Sequence, residues 1–128
     1  MRALLDTHVF VWATSDERRL SDVARTILAD GENEIFLSAV TAWEIAIKHA
    51  KGRLDLKDAP ETYVPDRMEL FGFRSLSVEV GHALRAGALP PVHRDPFDRL
   101  LIAQSQLERL PILTSDPNIG RYDVEVIW

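Results

Sequence analysis

The chain has 128 residues, of which 46% are hydrophobic and 27% are charged, a balance typical of globular rather than disordered proteins. Its net charge of -5 argues against a protein that coats nucleic acid through a broad basic surface. The absence of cysteine excludes disulfides and thiolate metal sites, so any bound metal needs oxygen or imidazole ligands. We expect a single domain over residues 1–128, because this length is enough for one hydrophobic core.

The first residues are unlike a targeting segment. Asp6 and His8 interrupt the short apolar stretch at the N-terminus, and no small-residue cleavage site follows it. No segment approaches the ~20 apolar residues that a membrane-spanning helix needs. We therefore expect a cytoplasmic protein that makes no membrane contact.

Short apolar runs alternate with helical patterns along the chain. The apolar runs predict strands at 3–5, 34–38, 73–78, 111–114 and 124–128. Apolar residues that recur every three or four positions predict helices at 20–30, 39–51, 61–71, 78–87 and 96–109. This alternation predicts an α/β fold in which a central parallel sheet of about five strands carries helices on both faces.

The tryptophans lie within apolar helical patterns. In segment 39–51 the apolar residues are spaced so that they can share one face: Val40, Trp43, Ile47 and Ala50. We expect Trp12 and Trp43 to pack in the core rather than to stack on nucleic-acid bases.

Four acidic residues are predicted to meet at one edge of the sheet. Asp6 and Asp116 follow the first and fourth predicted strands, at the carboxyl edge where parallel sheets form their functional crevice. Glu44 lies about two turns into the helix after the second strand, and Asp98 lies in the first turn of the helix that begins around Pro96. All four side chains converge if the fourth strand is central.

Each acid also has a purely structural interpretation. Asp6 can cap a helix that begins at Thr7, and Asp95 and Asp116, which each precede a proline, are typical of helix starts. Glu44 stands at a capping-box spacing from Thr41 and at an ion-pair spacing from Lys48. These roles remain open for the individual residues.

Capping does not explain why the four acids share an edge. Two carboxylates ~5 Å apart repel each other by on the order of 3 kcal/mol at an effective dielectric constant of ~20. Carboxylate oxygens are preferred ligands of Mg²⁺ and Mn²⁺, so a bound divalent cation is the simplest way to offset this repulsion. The histidines have no helical metal-binding spacing. His93 and Arg94 border the acidic motif and could contact a substrate phosphate, but we expect them, and likewise Arg99, to be solvated.

Four sequence segments resemble the PIN-domain family, and specifically its VapC-like toxins. They are LLDTHVFVW at 4–12, SAVTAWEIAIKHAKGRL at 38–54, HRDPFDRLLIAQSQ at 93–106 and LPILTSD at 110–116. The segments occur in the family's order and extend over almost the whole chain. HRDPFDRLLIAQ is the most distinctive of them.

The resemblance implies a site, a cofactor and partners. Asp6, Glu44, Asp98 and Asp116 match the family's catalytic and metal-binding acids, which implies a cofactor of Mg²⁺ or Mn²⁺. Thr7 and Ser115 match positions where a small hydroxyl helps to hold metal or water, and Asp95 is an auxiliary residue. The resemblance further implies an RNA substrate, a homodimer and a cognate antitoxin that blocks the pocket and binds DNA through its own second half.

The resulting hypothesis is a metal-dependent ribonuclease that activates water for in-line attack on an RNA phosphodiester. A phospho-acceptor signalling domain is the first alternative, but it needs an acidic pair after the first strand and a late lysine. Here Thr7 and His8 follow Asp6, and no lysine follows Lys57. A magnesium-binding module that contacts RNA without cleaving it is the second alternative, which the complete set of acids disfavours.

Overall fold

The five strands form one parallel sheet in the order β3-β2-β1-β4-β5 in the computed structural model, which describes residues 1–128. The strands are β1 (Arg2–Leu5), β2 (Glu34–Ser38), β3 (Arg74–Leu76), β4 (Ile112–Leu113) and β5 (Val126–Ile127). All five lie within the predicted runs or extend them by one residue. The predicted α/β class and its parallel sheet are confirmed.

Six α-helices connect these strands. They are α1 (Thr7–Ser15), α2 (Asp22–Ala29), α3 (Ala39–Ala50), α4 (Pro60–Phe71), α5 (Val80–Ala88) and α6 (Pro96–Glu108). The bounds of α2 to α6 fall within two residues of the predicted ones, whereas only the start of α1 followed from the sequence. None of the six combines the length and the apolar character that crossing a bilayer requires.

The sheet separates two hydrophobic cores. Ala3 and Leu5 of β1 belong to the core beneath α1, α2 and α4, while Leu4 belongs to the core beneath α6. Alternate residues of a strand point to opposite faces, so both faces of β1 are covered. Helices therefore lie on both sides of the sheet, as predicted.

Helix α3 does not bury the face that its apolar spacing predicts. Its buried residues are Val40, Thr41, Glu44 and Ile45, while the Trp43 side chain is 61% exposed. The expectation that Trp43 packs in the core was wrong, because the buried stripe of α3 turns toward a polar pocket and carries Glu44 inward. Trp43 instead packs edge-on against Phe97, with 5.2 Å between the ring centroids.

The topology makes β1 and β4 neighbours at the centre of the sheet. Leu4 pairs with Ile112 and Leu5 with Leu113. The backbone N–H of Asp6 donates to the Leu113 carbonyl at 3.1 Å, which extends this pairing by one residue. The segments that follow the two strands therefore leave the sheet side by side.

Candidate metal centre

A polar pocket of about 190 Å³ lies at the carboxyl edge of β1 and β4. None of its lining residues is hydrophobic: Asp6, Thr7, His8, Glu44, Lys48, Asp95, Asp98 and Asp116. All four of the predicted acids therefore meet in one place, together with Thr7 and Asp95 from the auxiliary set. Ser115 is not part of the lining.

Asp6 is buried and both of its carboxylate oxygens are engaged. Oδ1 caps α1 by accepting from the Thr7 N–H at 2.8 Å, and Oδ2 accepts from the Thr114 hydroxyl at 2.6 Å. The same Oδ2 lies 3.2 Å from His8 Nδ1. Burial raises the pKa of Asp6, but the contacts with His8, Thr114 and Thr7 outweigh burial and bring this pKa below its ordinary value. Asp6 is thus held as a carboxylate.

Glu44 is also buried, and two side chains hold it. Its Oε1 accepts from the Thr7 hydroxyl at 2.6 Å, and its Oε2 lies 2.6 Å from Lys48 Nζ. The cap of α3 is Ser38, whose hydroxyl accepts from the Val40 N–H, so Glu44 forms the predicted ion pair but no capping box. Burial lowers the pKa of Lys48, but the hydrogen bond and the charge of Glu44 raise it above its ordinary value.

Asp98 combines burial with nearby negative charge. Burial raises its pKa to about 7, and the charges of Asp6, Asp95 and Glu44 act in the same direction against a hydrogen bond with His93. Its Oδ2 lies 2.7 Å from His93 Nε2. Five acidic residues and one lysine line the pocket, so the lysine does not balance the acids.

Asp95 and Asp116 stabilise the local backbone, which confirms this part of their predicted structural roles. Asp95 caps α6, because its Oδ1 accepts from the N–H groups of Phe97 and Asp98 at 2.9 and 3.4 Å. Asp116 Oδ1 accepts from the Asn118 N–H at 2.9 Å and so stabilises the turn after β4. Both residues also face the pocket, so capping does not exclude a second role.

The predicted hydroxyl residues have different contacts. Thr7 bridges to Glu44, whereas the Ser115 hydroxyl lies 2.9 Å from His8 Nε2. Thr114, which the sequence reasoning did not select, donates to Asp6 and accepts from the Asp116 N–H at 3.0 Å. A threonine immediately after an apolar strand is too common a feature to have identified it.

The tightest group of possible metal ligands is His93, Asp98 and Asp116. One ligand atom from each of these residues lies within 4.8 Å of the others. Asp6 and Glu44 line the same pocket but are not members of this group. Excess carboxylate, a raised Asp98 pKa and closely spaced donor atoms together fit a divalent cation.

His93 and Arg99 were expected to be solvated, whereas both are half-buried and hydrogen-bonded within the protein. Only the position of His93 five residues before Asp98 could have indicated that the two side chains meet. Arg99 donates to four backbone carbonyls, those of Ala86, Leu89, Pro90 and His93, and to the Tyr122 hydroxyl. It is therefore a structural residue that fixes the loop before α6.

Comparison with solved structures supports the same fold. A VapBC2 complex from Rickettsia felis bound to promoter DNA has a TM-score of 0.70 at 14% identity and covers 99% of this chain and 98% of that one. FitAcB from Neisseria gonorrhoeae has a TM-score of 0.66 at 22% identity, over 100% of this chain and 97% of that one. At these identities the likeness concerns the fold alone.

Sequence comparison gives the family. Ribonuclease VapC16 of Mycobacterium tuberculosis is 47% identical over 58 residues, which amount to 45% of this chain and 41% of that protein. The sequence profile of the PIN domain matches residues 3–125, almost the whole chain. The chain therefore belongs to the PIN-domain family.

Proposed function

We propose that this chain is a metal-dependent endoribonuclease that hydrolyses RNA phosphodiester bonds and acts as the toxin of a toxin–antitoxin pair. The observation that carries the proposal is the pocket in which Asp6, Glu44, Asp98 and Asp116 meet. The sequence match to a ribonuclease and the structural likeness to toxin–antitoxin complexes support it. The active unit in this proposal is one domain spanning residues 1–128.

The acidic residues of the pocket and the threonines beside them would have different roles. Asp98 and Asp116 would hold Mg²⁺ or Mn²⁺, with Asp6 and Glu44 completing the negative pocket around it. A divalent ion bound there would lower the pKa of a coordinated water and neutralise charge on the scissile phosphate. Thr114 and Thr7 keep Asp6 and Glu44 in place through hydrogen bonds of 2.6 Å each.

A carboxylate that lines the pocket would accept the proton from the attacking water, as a positioned general base does. Glu44 is buried at the pocket and is oriented by Thr7 and Lys48. Because both of its oxygens already have partners, its role would be to hold negative charge in place at the pocket. Asp95, as the cap of α6, would act indirectly by holding the first turn that carries Asp98.

The proposed partners follow from the charge of the protein and from its relatives. The net charge of -5 leaves RNA binding to local contacts, so the shape of single-stranded or looped RNA would supply selectivity. A cognate antitoxin would inhibit the enzyme by covering the acidic pocket, and DNA would be contacted only through that antitoxin. We further propose a homodimer that acts in the cytoplasm, where its RNA substrate is found.

The decisive experiment is RNA cleavage by purified protein in Mg²⁺, in Mn²⁺ and in excess chelator. We expect cleavage only with metal. The cleavage rate should fall at least about a hundredfold in Asp98→Asn, which is the order of effect of removing one charge-stabilising group from an active site. Asp58→Asn is the matched control, because Asp58 is exposed and lies outside the pocket. Cleavage in chelator, or full activity of Asp98→Asn, would contradict the proposal.

A further inference from the structure

We infer that His93 is a direct nitrogen ligand of the metal beside Asp98 and Asp116, so that the centre prefers Mn²⁺ over Mg²⁺. The inference rests on the proposed function only in that the same pocket holds a divalent cation. It adds a residue that the acidic pattern in the sequence does not contain.

The donor atoms of three residues lie close enough together to share one ion. His93, Asp98 and Asp116 each offer one atom, and all of these atoms lie within 4.8 Å of one another. His93 Nε2 and Asp98 Oδ2 are 2.7 Å apart. Adjacent ligands of an octahedral ion with bonds of 2.0–2.1 Å lie about 3 Å apart, so a small outward movement of these two atoms would admit the ion between them.

The backbone of His93 is fixed before any ligand binds. Its N–H donates to the Tyr122 hydroxyl at 2.8 Å, and its carbonyl accepts from Arg99 at 3.2 Å. Tyr122 is itself held by Arg99 and by a hydrogen bond to the Pro90 carbonyl at 3.0 Å. A ligand held by such supporting contacts loses little conformational entropy when the metal binds.

His8, the other imidazole at the pocket, differs in its contacts. Both of its ring nitrogens have protein partners, because Nδ1 lies 3.2 Å from Asp6 Oδ2 and Nε2 lies 2.9 Å from the Ser115 hydroxyl. His93 uses only Nε2, toward Asp98, and its Nδ1 makes no hydrogen bond within the protein. His93 can therefore exchange its contact for a metal bond without leaving an interior partner unsatisfied.

The chemistry of the donors gives the metal preference. Oxygen ligands alone suit Mg²⁺, Ca²⁺ and Mn²⁺, whereas an imidazole ligand shifts a site toward first-row transition metals. Mg²⁺ demands a hard, nearly regular shell of oxygen atoms and retains several waters. Two carboxylates with one imidazole thus favour Mn²⁺, a first-row transition metal, over Mg²⁺.

Pulsed electron paramagnetic resonance on Mn²⁺-loaded, tag-free protein in imidazole-free buffer tests the inference directly. We expect the modulation of a directly bound ¹⁴N nucleus in the wild type and in His8→Gln, and its loss in His93→Gln. Calorimetry should show Mn²⁺ affinity reduced at least about tenfold in His93→Gln, since even an outer partner of a ligand typically contributes that much. The Mg²⁺ affinity of His93→Gln, measured by competition, should fall by less than its Mn²⁺ affinity. Circular dichroism checks that the variant folds.

The possible outcomes separate this inference from the proposed function. Mn²⁺ binding and RNA cleavage without ¹⁴N coupling in the wild type would overturn the role of His93 alone. Coupling that persists in His93→Gln but disappears in His8→Gln would overturn it as well. Coupling in the wild type without RNA cleavage would support His93 and contradict the nuclease proposal. Failure to bind Mn²⁺ would overturn the role of His93, and failure to bind Mg²⁺ as well would contradict both.

Discussion

Lys48 Nζ lies 2.6 Å from Glu44 Oε2, one turn further along α3, and Lys48 is the only lysine that lines the acidic pocket. The contact places a positive charge beside a buried carboxylate of the pocket. The Lys48 side chain is 47% exposed but that of Glu44 only 5%, so the pair offsets part of the cost of burying the Glu44 charge. It also raises the electrostatic potential of the pocket.

Replacing Lys48 tests that effect. We expect Lys48→Met to bind Mn²⁺ several-fold more tightly than the wild type, because it removes a positive charge that repels the ion at short range. Isothermal titration calorimetry in low salt measures the change. Lys51→Met serves as the control, since Lys51 is exposed and lies outside the pocket. Unchanged or weaker binding by Lys48→Met would refute the prediction.

The raised pKa of Asp98 predicts that a substitution that removes its charge stabilises the metal-free protein. The folded-state pKa of about 7 lies above the ordinary 3.8, so the folded protein retains a proton that the unfolded chain releases. The stability of the metal-free protein therefore falls as pH rises from about 4 to 7 and stays reduced above that range. Asp98→Asn, which cannot ionise, avoids this loss.

At pH 8 we expect Asp98→Asn to raise the free energy of unfolding by on the order of 2 kcal/mol. The full shift in the Asp98 pKa corresponds to about 4 kcal/mol, and partial solvent access reduces it. Denaturant unfolding in chelator at pH 8 and pH 5 measures the difference, which should shrink at the lower pH. A variant less stable than the wild type at pH 8 would refute the prediction.

Asp6→Asn should have the opposite effect on stability. The pKa of Asp6 lies below its ordinary value, so its carboxylate stabilises the fold above about pH 4 and loses this contribution as pH falls through the folded-state pKa. Removing a buried, hydrogen-bonded carboxylate should cost about 2 kcal/mol at pH 7. The same unfolding experiment, in chelator, compares the two variants side by side. Equal shifts in both would show that the two acids do not differ as described.

Metal affinity should depend on pH through Asp98. A ligand must lose its proton to bind a cation, so Mn²⁺ affinity should fall by up to about tenfold per pH unit below the Asp98 pKa of about 7 and level off above it. Calorimetry at pH 6, 7 and 8 measures this dependence, and buffers of different ionisation enthalpy count the proton released. Constant affinity between pH 6 and 8 would exclude a coupling of this kind.

Local signals in the sequence were sufficient for the elements of the fold. Helices α2 to α6 and all five strands follow from apolar spacing, and the caps Asp6 and Asp95 follow from residue type and the adjacent Thr7 and Pro96. These features depend on neighbours within a few positions, which the sequence displays directly. The orientation of α3 depends instead on tertiary packing, and so the prediction that Trp43 lies in the core was wrong.

The sequence by itself determined the strand and helix types, the edge at which the acids end and, through four ordered motifs, the family. Only the tertiary structure decided which oxygens of those acids are already occupied, that Lys48 enters the pocket, and that His93 meets Asp98 and Asp116. The reason is physical: element type is fixed by contacts a few residues apart, whereas the composition of the pocket depends on loops whose paths are set by distant hydrogen bonds. The contact between the His93 N–H and the Tyr122 hydroxyl, 29 residues apart in the chain, is of that kind.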